Sequence, residues 1–360
     1  MRLKRPRGAS GFAPRVMADT VQLCVVIALT LAVPAALRLL DARYGAKDVP
    51  QSYLPALEGP RLRGAFDPYL LNQMRELKPR YVALGDSMGG TRLDTTRFRQ
   101  LAGAPILDMF QAGSGSVFWY LALKNWVLAS GVPPTAVLIF FRDTNLTDIM
   151  YRLDEGFRWN IDRVAGEREE EVNAAIARRS GEWRIRMRSG IERAYAADRA
   201  RLWMVPGFTD RMTRAFEPSR RRRTAFIEQM NERFEFLHIR QMETADIAAV
   251  VDLDADFRRD IDGSVLPLML RDARNAGVTL VFIRVQRRPA GNQPPPLGPG
   301  LRQYVADLRA YIEANGGRWR DDTGDPLLTL DMYEDGDHLA QRARYRYTEI
   351  LFDRIRHLLP

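Results

Sequence analysis

The sequence predicts an α/β fold built on a doubly wound, mainly parallel sheet with helices on both faces. Two observations predict it. Short continuous apolar runs are typical of strands covered on both faces, and segments with helical periodicity lie between these runs. The predicted strands are residues 81–84, 105–109, 136–141 and 278–285, and the predicted helices are residues 117–128, 265–275, 301–315 and 338–359. Ligands of such sheets bind beyond the carboxyl ends of the strands.

The composition indicates a folded chain without covalent or metal cross-links. Hydrophobic residues make up 46% of the 360 residues, which is enough to bury a full core. The single cysteine, Cys24, excludes an intrachain disulfide and a zinc cluster of cysteines. The chain has only three histidines, His238, His338 and His357, so a multi-histidine metal site is not expected. We therefore predict neither a metal nor another cofactor.

The formal net charge of +9 raises the question of nucleic-acid binding. The basic residues concentrate before an N-terminal apolar run and between residues 178 and 223, and no recognisable nucleic-acid module accompanies them. We interpret them as a cytoplasmic topology signal and as solvated helix faces. Contact with an anionic lipid or an acidic glycan is the alternative. A nucleic-acid partner is not predicted.

An apolar segment at residues 20–40 predicts a transmembrane helix. Its uncharged part, residues 20–37, would extend about 27 Å as a helix, against roughly 30 Å for a hydrocarbon core. The positive-inside rule then predicts a single-pass protein of the inner membrane, with a cytoplasmic N-terminus and a periplasmic domain. The alternative is a cleaved signal peptide, which the small residues Ala32, Ala35 and Ala36 favour.

These patterns divide the chain into four segments. They are a basic cytoplasmic segment (1–19), the anchor (20–40), a proline-spaced tether (41–78) and the α/β domain (79–360). Residues 151–250 interrupt the alternation of strands and helices with an arginine-rich stretch that lacks strand signals. We interpret it as a helical insertion that caps the sheet or borders the site.

Two polar motifs stand at opposite ends of the predicted domain. Gly85-Asp86-Ser87 closes the first strand, and a serine hydroxyl becomes a useful nucleophile only when a neighbouring base removes its proton. Asp335-Gly336-Asp337-His338 opens the last predicted helix, where Asp335 could orient the second ring nitrogen of His338. The alternative for both motifs is a helix cap or a turn. We expect His238 and His357 to be structural or solvated.

The two motifs resemble the first and fourth sequence blocks of the SGNH/GDSL hydrolase superfamily, and they occur in the order that the family shows. The GDS motif matches the first block, so the resemblance implies that Ser87 is the nucleophile. Asp335 and His338 match the D-x-x-H block, which implies an orienting acid and a general base. The resemblance covers roughly residues 79–150 and 262–358, and it implies a three-layer, flavodoxin-like arrangement.

The two middle blocks of the family supply the oxyanion hole, and they match less closely here. Gly113 takes the glycine position of the second block, with Asp108 in place of the usual asparagine and Gly115 as a rival. Asn145 is the natural counterpart of the third-block asparagine, although the glycine and the aspartate beside it are missing. The resemblance therefore implies an oxyanion hole formed by Ser87, Gly113 and Asn145. A turn residue is the alternative for Asn145, and the further candidates for lining the pocket are Asp86, Gly115, Arg142 and Asp143.

The resemblance implies an esterase or an O-acyltransferase. Ser87 would attack an ester carbonyl while His338 takes its proton, and water or a sugar hydroxyl would then accept the acyl group. Together with the predicted anchor, it implies action on O-acetyl groups of cell-envelope or exported glycans, with a multipass membrane acyltransferase as a partner. The alternative is a catalytically inactive SGNH-like binding or scaffold subunit of an envelope polysaccharide assembly.

Overall fold

A computed structural model describes residues 13–44, 66–153, 157–166, 169–195, 219, 255–289, 296–334 and 336–360. Within these residues, five strands form one sheet in the order β2-β1-β3-β4-β5, and every neighbouring pair is parallel. The strands are β1 (Tyr81–Gly85), β2 (Ile106–Phe110), β3 (Ala136–Phe141), β4 (Thr279–Arg284) and β5 (Arg318–Asp321). All five carboxyl ends therefore lie at one edge of the sheet.

The described helices are α1 (Ala13–Tyr44), α2 (Tyr69–Leu77), α3 (Ser87–Gly90), α4 (Thr95–Ala102), α5 (Ser116–Ala122), α6 (Arg158–Val164), α7 (Glu170–Ser180), α8 (Glu182–Tyr195), α9 (Phe257–Ile261), α10 (Leu266–Asn275), α11 (Pro299–Ala314) and α12 (Arg344–Ile355). Short 3₁₀ turns span Leu330–Met332, Gln341–Ala343 and Arg356–Leu358. Helices α2, α5, α10 and α11 contribute buried side chains to the core on one face of the sheet, and α4 and α12 contribute to the core on the other face.

The alternation of side chains along the strands explains why the strands are continuous apolar runs. In β3, Val137 and Ile139 belong to one core, whereas Leu138 and Phe140 belong to the other. Because both faces of the strand are covered, neither set of side chains needs to be polar. The doubly wound, parallel α/β fold and the four predicted strands are thus confirmed.

The strand β5 was not predicted from the sequence. Its residues, Arg318-Trp319-Arg320-Asp321, are mostly polar, and only Trp319 is buried. The strand pairs with β4 on one side and forms the edge of the sheet, where charged residues are common because they discourage pairing with other chains. An edge strand of this kind carries no apolar signal.

The N-terminal helix α1 contains the segment that we predicted as an anchor. Apolar side chains such as Val21, Leu23 and Val26 are exposed on it. Across the described residues, however, no helix is long and apolar enough to cross a membrane. The transmembrane segment predicted at residues 20–40 is therefore not found, and most of the basic segment before it lies outside the described residues.

The predicted tether ends earlier than residue 78. Residues 45–65 lie outside the described residues, but α2 follows Pro68 and buries Met74 completely in the core. Proline fixes its own backbone angle and suits the start of a helix, so Pro68 precedes this helix without interrupting it. The folded domain thus includes residues that we assigned to the tether.

The last helix begins later than predicted. We expected His338 to open it, but α12 begins at Arg344, after an extended Ala340 and the 3₁₀ turn Gln341–Ala343. His338 instead lies in a loop whose flanking residues, Tyr333 and Leu339, form an antiparallel bridge. The described parts of the predicted insertion are helical (α6, α7 and α8), and most of residues 196–254 lies outside the described residues.

Candidate active site

Ser87 lies on a tight turn immediately beyond β1. The turn is held by Asp86, which is 5% exposed and whose carboxylate accepts a 2.9 Å hydrogen bond from the Met88 N–H. It also requires glycine at position 89, because a Cβ atom there would lie 2.3 Å from the Phe110 ring of β2. Asp86 is therefore a helix cap, as one of the two sequence alternatives predicted, and Ser87 is the first residue of the short helix α3.

A buried arginine connects this turn to the rest of the site. Arg92 is 1% exposed, and its guanidinium donates to the carbonyl oxygens of Met88 (3.0 Å) and Gln286 (2.8 Å). The same guanidinium lies over the rings of Tyr333 and Tyr347. These contacts link the segments after β1 and β4 to the segment that leads to His338.

The structure brings Ser87 and His338 together although 251 positions separate them. His338 Nε2 lies 2.9 Å from Ser87 Oγ, which is hydrogen-bonding distance. The loop around the histidine is folded back on itself, since the Glu334 N–H donates to the His338 carbonyl oxygen (3.0 Å) and the Ala340 N–H donates to Met332 (2.8 Å). Asp335, the predicted orienting acid, lies outside the described residues.

Asp337, the neighbour of His338, ties the histidine loop to the sheet. Its carboxylate forms an ion pair with Arg142, at the end of β3, and accepts a 2.8 Å hydrogen bond from the Arg288 N–H. Burial acts to raise the pKa of Asp337, but Arg142 and the Arg288 amide outweigh it and hold the pKa below its usual range. The lowered pKa favours the ionised form of Asp337, whose carboxylate oxygens contact Arg142 and the Arg288 N–H.

Asp143 holds the ends of β3 and β4 together. It is 3% exposed, and its carboxylate pairs with Arg284 (3.2 Å) and Arg287 (2.5 Å). Its φ angle of 45° lies in the left-handed region, which is uncommon outside glycine. Of the residues proposed to line a pocket, Asp143 and Arg142 therefore serve in ion pairs at the carboxyl ends of the strands.

Asn145 carries an unsatisfied amide beside these ion pairs. It lies in the turn after β3, where its backbone N–H donates to the Arg142 carbonyl oxygen (3.0 Å), and its side chain is buried. No hydrogen-bond partner within the described residues accepts from its Nδ2. A buried polar group without a partner is rare and calls for an explanation, and an incoming oxyanion would provide one.

The loop after β2, residues 111–115, packs on the strand end that leads to Ser87. Its Gln111 N–H and its Ser114 hydroxyl both donate to the Gly85 carbonyl oxygen, at 3.0 and 3.2 Å. The two predicted glycines allow a second chain segment to approach closely. A Cβ atom on Gly113 would lie 2.5 Å from the Phe157 ring, and one on Gly115 would lie 2.5 Å from the Tyr151 carbonyl oxygen.

Sequence reasoning missed two arginines of this region. Arg92 is one of many arginines in the chain, and its five-residue distance from Ser87 does not reveal that it is buried. Arg152 follows the third block, and its Nη1 lies 3.7 Å from where a Cβ atom of Gly113 would stand, a contact that its place in the sequence does not reveal. Among the other histidines, His357 is exposed and His238 lies outside the described residues.

Comparisons with known proteins give only distant similarity. No family profile matches the sequence, and no curated protein matches it. Among solved structures, a GDSL-like lipase from Bacteroides thetaiotaomicron shares 11% identity over 79% of this chain and 91% of its own, with a TM-score of 0.34. A proposed acylhydrolase from Bacteroides fragilis shares 12% identity over 80% of this chain and 95% of its own, with a TM-score of 0.36. At this level of similarity, neither structure indicates what this protein does.

Proposed function

We propose that this protein is a serine-dependent acyl ester hydrolase of the SGNH/GDSL type, with Ser87 as the nucleophile and His338 as its general base. The observation that carries the proposal is the 2.9 Å separation of Ser87 Oγ and His338 Nε2 at the carboxyl edge of a parallel sheet. A serine hydroxyl needs a base within hydrogen-bonding reach, and ligands of such sheets bind at this edge.

The proposed reaction proceeds in two steps. The hydroxyl oxygen of Ser87 attacks the ester carbonyl while His338 accepts its proton, and the protonated imidazole then donates that proton to the leaving alcohol. Water attacks the resulting acyl-enzyme while His338 accepts its proton, the imidazolium returns that proton to the Ser87 oxygen as the acyl–oxygen bond breaks, and the acid is released. Both steps pass through a tetrahedral intermediate whose negative oxygen must be stabilised.

The proposed oxyanion hole consists of the backbone N–H groups of Ser87 and Gly113 and the side-chain amide of Asn145. The buried Nδ2 of Asn145 supports this assignment, because within the described residues it has no acceptor. The contacts of the Gln111–Gly115 loop with Gly85 support the role of Gly113, since they hold that loop beside the Ser87 turn. Asp335 is proposed to orient the second ring nitrogen of His338.

The acyl ester is proposed to be small, and O-acetylated glycans of the cell envelope are the first natural substrates to assay. Transfer to a sugar hydroxyl would use the same acyl-enzyme, so the products decide between the two acceptors. A reaction in water that releases one equivalent of free acetate per ester consumed indicates hydrolysis. A new acetylated sugar in the presence of an added oligosaccharide indicates transfer.

The nucleophile is tested by replacing Ser87 with alanine. We expect the turnover of 4-nitrophenyl acetate to fall by about 10⁴-fold or more, because the triad residues act as one unit. Ser180→Ala is the matched control, since the Ser180 hydroxyl donates within helix α7 to Ile176. A fluorophosphonate probe should label the wild-type protein and the control but not Ser87→Ala. Equal labelling of all three proteins would exclude Ser87 as the nucleophile, and labelling of none would favour the inactive scaffold.

A further inference from the structure

The arginines at the carboxyl edge of the sheet differ in one respect. Arg142, Arg284 and Arg287 all pair with aspartates. Arg152 has no carboxylate or carbonyl partner within the described residues, and its recorded contacts are with two aromatic rings. Its guanidinium lies 4.9 Å from the centre of the Tyr151 ring and 5.1 Å from that of Phe157. Among the described residues, the five N–H donors of this half-buried cation therefore have no protein acceptor.

The backbone holds Arg152 in place. Its φ angle of 55° is in the left-handed region, where a non-glycine residue is held only by its surroundings. The Tyr151 carbonyl oxygen, immediately before Arg152, would lie 2.5 Å from a Cβ atom on Gly115, so this part of the chain is packed closely on the loop 111–115. Among the described residues, the position of Arg152 is therefore set by backbone and ring contacts and not by a partner charge.

Arg152 lies beside the proposed oxyanion loop. Its Nη1 is 3.7 Å from where a Cβ atom of Gly113 would stand. The loop that contains Gly113 is hydrogen-bonded to the carbonyl oxygen of Gly85, two residues before Ser87. The Tyr151 side chain also lies close to Arg142, where its electrostatic interaction with the guanidinium acts to raise the pKa of Arg142. The guanidinium thus borders the space in which the ester bound to Ser87 would extend.

The chemistry of this arrangement favours an anionic ligand. A planar guanidinium matches the two oxygens of a carboxylate, and stacking on aromatic rings fixes its orientation before the ligand arrives. A partly buried cation is more favourable with a counter-ion, and since no described residue supplies one to Arg152, a ligand carboxylate would do so. We propose that Arg152 is a specificity-determining residue that binds a carboxylate carried by the ester substrate. This inference rests on the proposed esterase function and names the class of its substrate.

The test compares charged and neutral esters of matched shape. For a carboxylate on the acyl side, the pair is 4-nitrophenyl hydrogen succinate and its methyl ester. For a carboxylate on the alcohol side, the pair is 4-acetoxybenzoate and its methyl ester. Arg152→Gln should lower kcat/KM for the charged member of one pair by about 10- to 100-fold, the range of a charge-assisted hydrogen bond. Both neutral esters should change by less than about threefold. The pair that responds identifies the side that carries the carboxylate.

Two variants control this experiment. Arg309→Gln removes the same charge from the solvent side of α11, so it reports any long-range effect of net charge and should leave the preference unchanged. Arg152→Lys keeps the positive charge but loses the planar pair of N–H donors. Its preference for the charged ester over the neutral one should lie between the preferences of wild type and Arg152→Gln. If Arg152→Gln does not fold, the lysine variant carries the comparison. Equal losses on charged and neutral esters, or no loss on either, overturn the proposal.

A binding measurement separates this inference from the proposed function. Calorimetric titration of Ser87→Ala with 4-nitrophenyl hydrogen succinate, and separately with 4-acetoxybenzoate, does not need turnover. Binding of one of them that is lost in Ser87→Ala/Arg152→Gln supports the carboxylate site even if wild type hydrolyses none of the esters. Undiminished binding in the double variant overturns the site even if Ser87 proves to be the nucleophile.

Discussion

The two halves of the candidate site are built differently. The nucleophile side (residues 85–93 with the loop 111–115) is held by backbone hydrogen bonds, an aspartate cap, glycine packing and the buried Arg92. The described residues of the base side (333–334 and 336–340 with 142–145 and 286–288) are held largely by ion pairs, and the side chains of Arg142 and Asp337 are 26% and 17% exposed. Ion pairs with partial exposure respond to pH and salt, whereas packed backbone does not. The stability of the nucleophile side should therefore change little with pH and salt, whereas that of the base side should depend on both.

Among the variants that compare the two halves, the largest loss of activity is expected on the base side, from replacing Asn145, whose side-chain amide is buried without a partner among the described residues. Asn145→Ala should raise the barrier of the proposed reaction by about 3–4 kcal/mol, or 10²- to 10³-fold in kcat, because it removes the proposed oxyanion donor. The thermal midpoint should not fall, because Nδ2 has no acceptor within the described residues. The measurements are kcat with 4-nitrophenyl acetate and thermal unfolding.

Asn125→Ala is the matched control for this change. Its Nδ2 donates to Val164 and Glu169, so its loss should lower stability and leave kcat nearly unchanged. If Asn145→Ala behaves like Asn125→Ala, then Asn145 is a turn residue, as the alternative in the sequence predicted.

The next effect concerns Arg92, which joins the two halves. Arg92→Met should lower the free energy of unfolding by about 3 kcal/mol, because the buried carbonyls of Met88 and Gln286 lose a charged donor. It should also slow the fluorophosphonate labelling of Ser87. Denaturant titration measures the first effect. Arg309→Met on the surface should change neither, and an Arg92→Met protein of wild-type stability would contradict the role of Arg92 as a link.

A smaller effect is expected from packing on the nucleophile side. Gly89→Ala should lower the free energy of unfolding by about 1–2 kcal/mol, because its new methyl group would lie 2.3 Å from the Phe110 ring before any shift. Gly90→Ala, whose methyl group would meet Phe110 no closer than 3.5 Å, is the control. The two variants are unfolded with denaturant at several salt concentrations. The difference in their free energies of unfolding should be the same at each concentration, and a difference that changes with salt would contradict the view that this side is held by packing.

The smallest effect should be the one that depends on pH. Asp337→Asn should lower the free energy of unfolding by about 1 kcal/mol at pH 7, since a partly exposed ion pair is worth little. The pKa of Asp337 is lowered in the folded state, so its contribution is complete above the unfolded pKa of about 3.9 and is lost as pH falls through the folded value. Wild type and variant should therefore converge well below pH 4.

Unfolding curves from pH 2 to 7 measure this difference between the two proteins. Asp353→Asn, which removes an exposed carboxylate with 3.6 Å contacts, should show almost no difference at any pH. A gap between wild type and Asp337→Asn that persists at pH 2 would mean that the asparagine disturbs packing instead of charge.

The sequence predicts those elements of the fold that are determined by their own residues, such as strands buried on both faces. The strands β1, β3 and β4 are covered on both faces and therefore appear as unbroken apolar runs, whereas the edge strand β5 is polar and gave no signal. The order of the motifs predicted that Ser87 and His338 would meet, and they do. The start of the last helix was placed too early because the tertiary bridge between Tyr333 and Leu339 keeps His338 in a loop.

The roles of the arginines could not be read from the sequence. Arg92, Arg142 and Arg152 belong to a chain rich in arginine, and what distinguishes them is the partner that the fold provides. Such partners lie on other loops, at distances along the chain that composition and periodicity do not encode. Periodicity identifies which elements form, but it does not identify which loops meet.

Under the proposed mechanism, the 251 positions between Ser87 and His338 determine when Ser87 can first be activated. Helix α12 docks on α4, where the Asp94 N–H donates 2.8 Å to the Thr348 hydroxyl and Arg97 pairs with Glu349. During synthesis, the serine leaves the ribosome long before these residues exist. Under the proposed mechanism, a nascent chain therefore carries an unactivated hydroxyl at Ser87 until His338 and its loop have been made, and α12 then completes the core face that Tyr347, Leu351 and Ile355 fill.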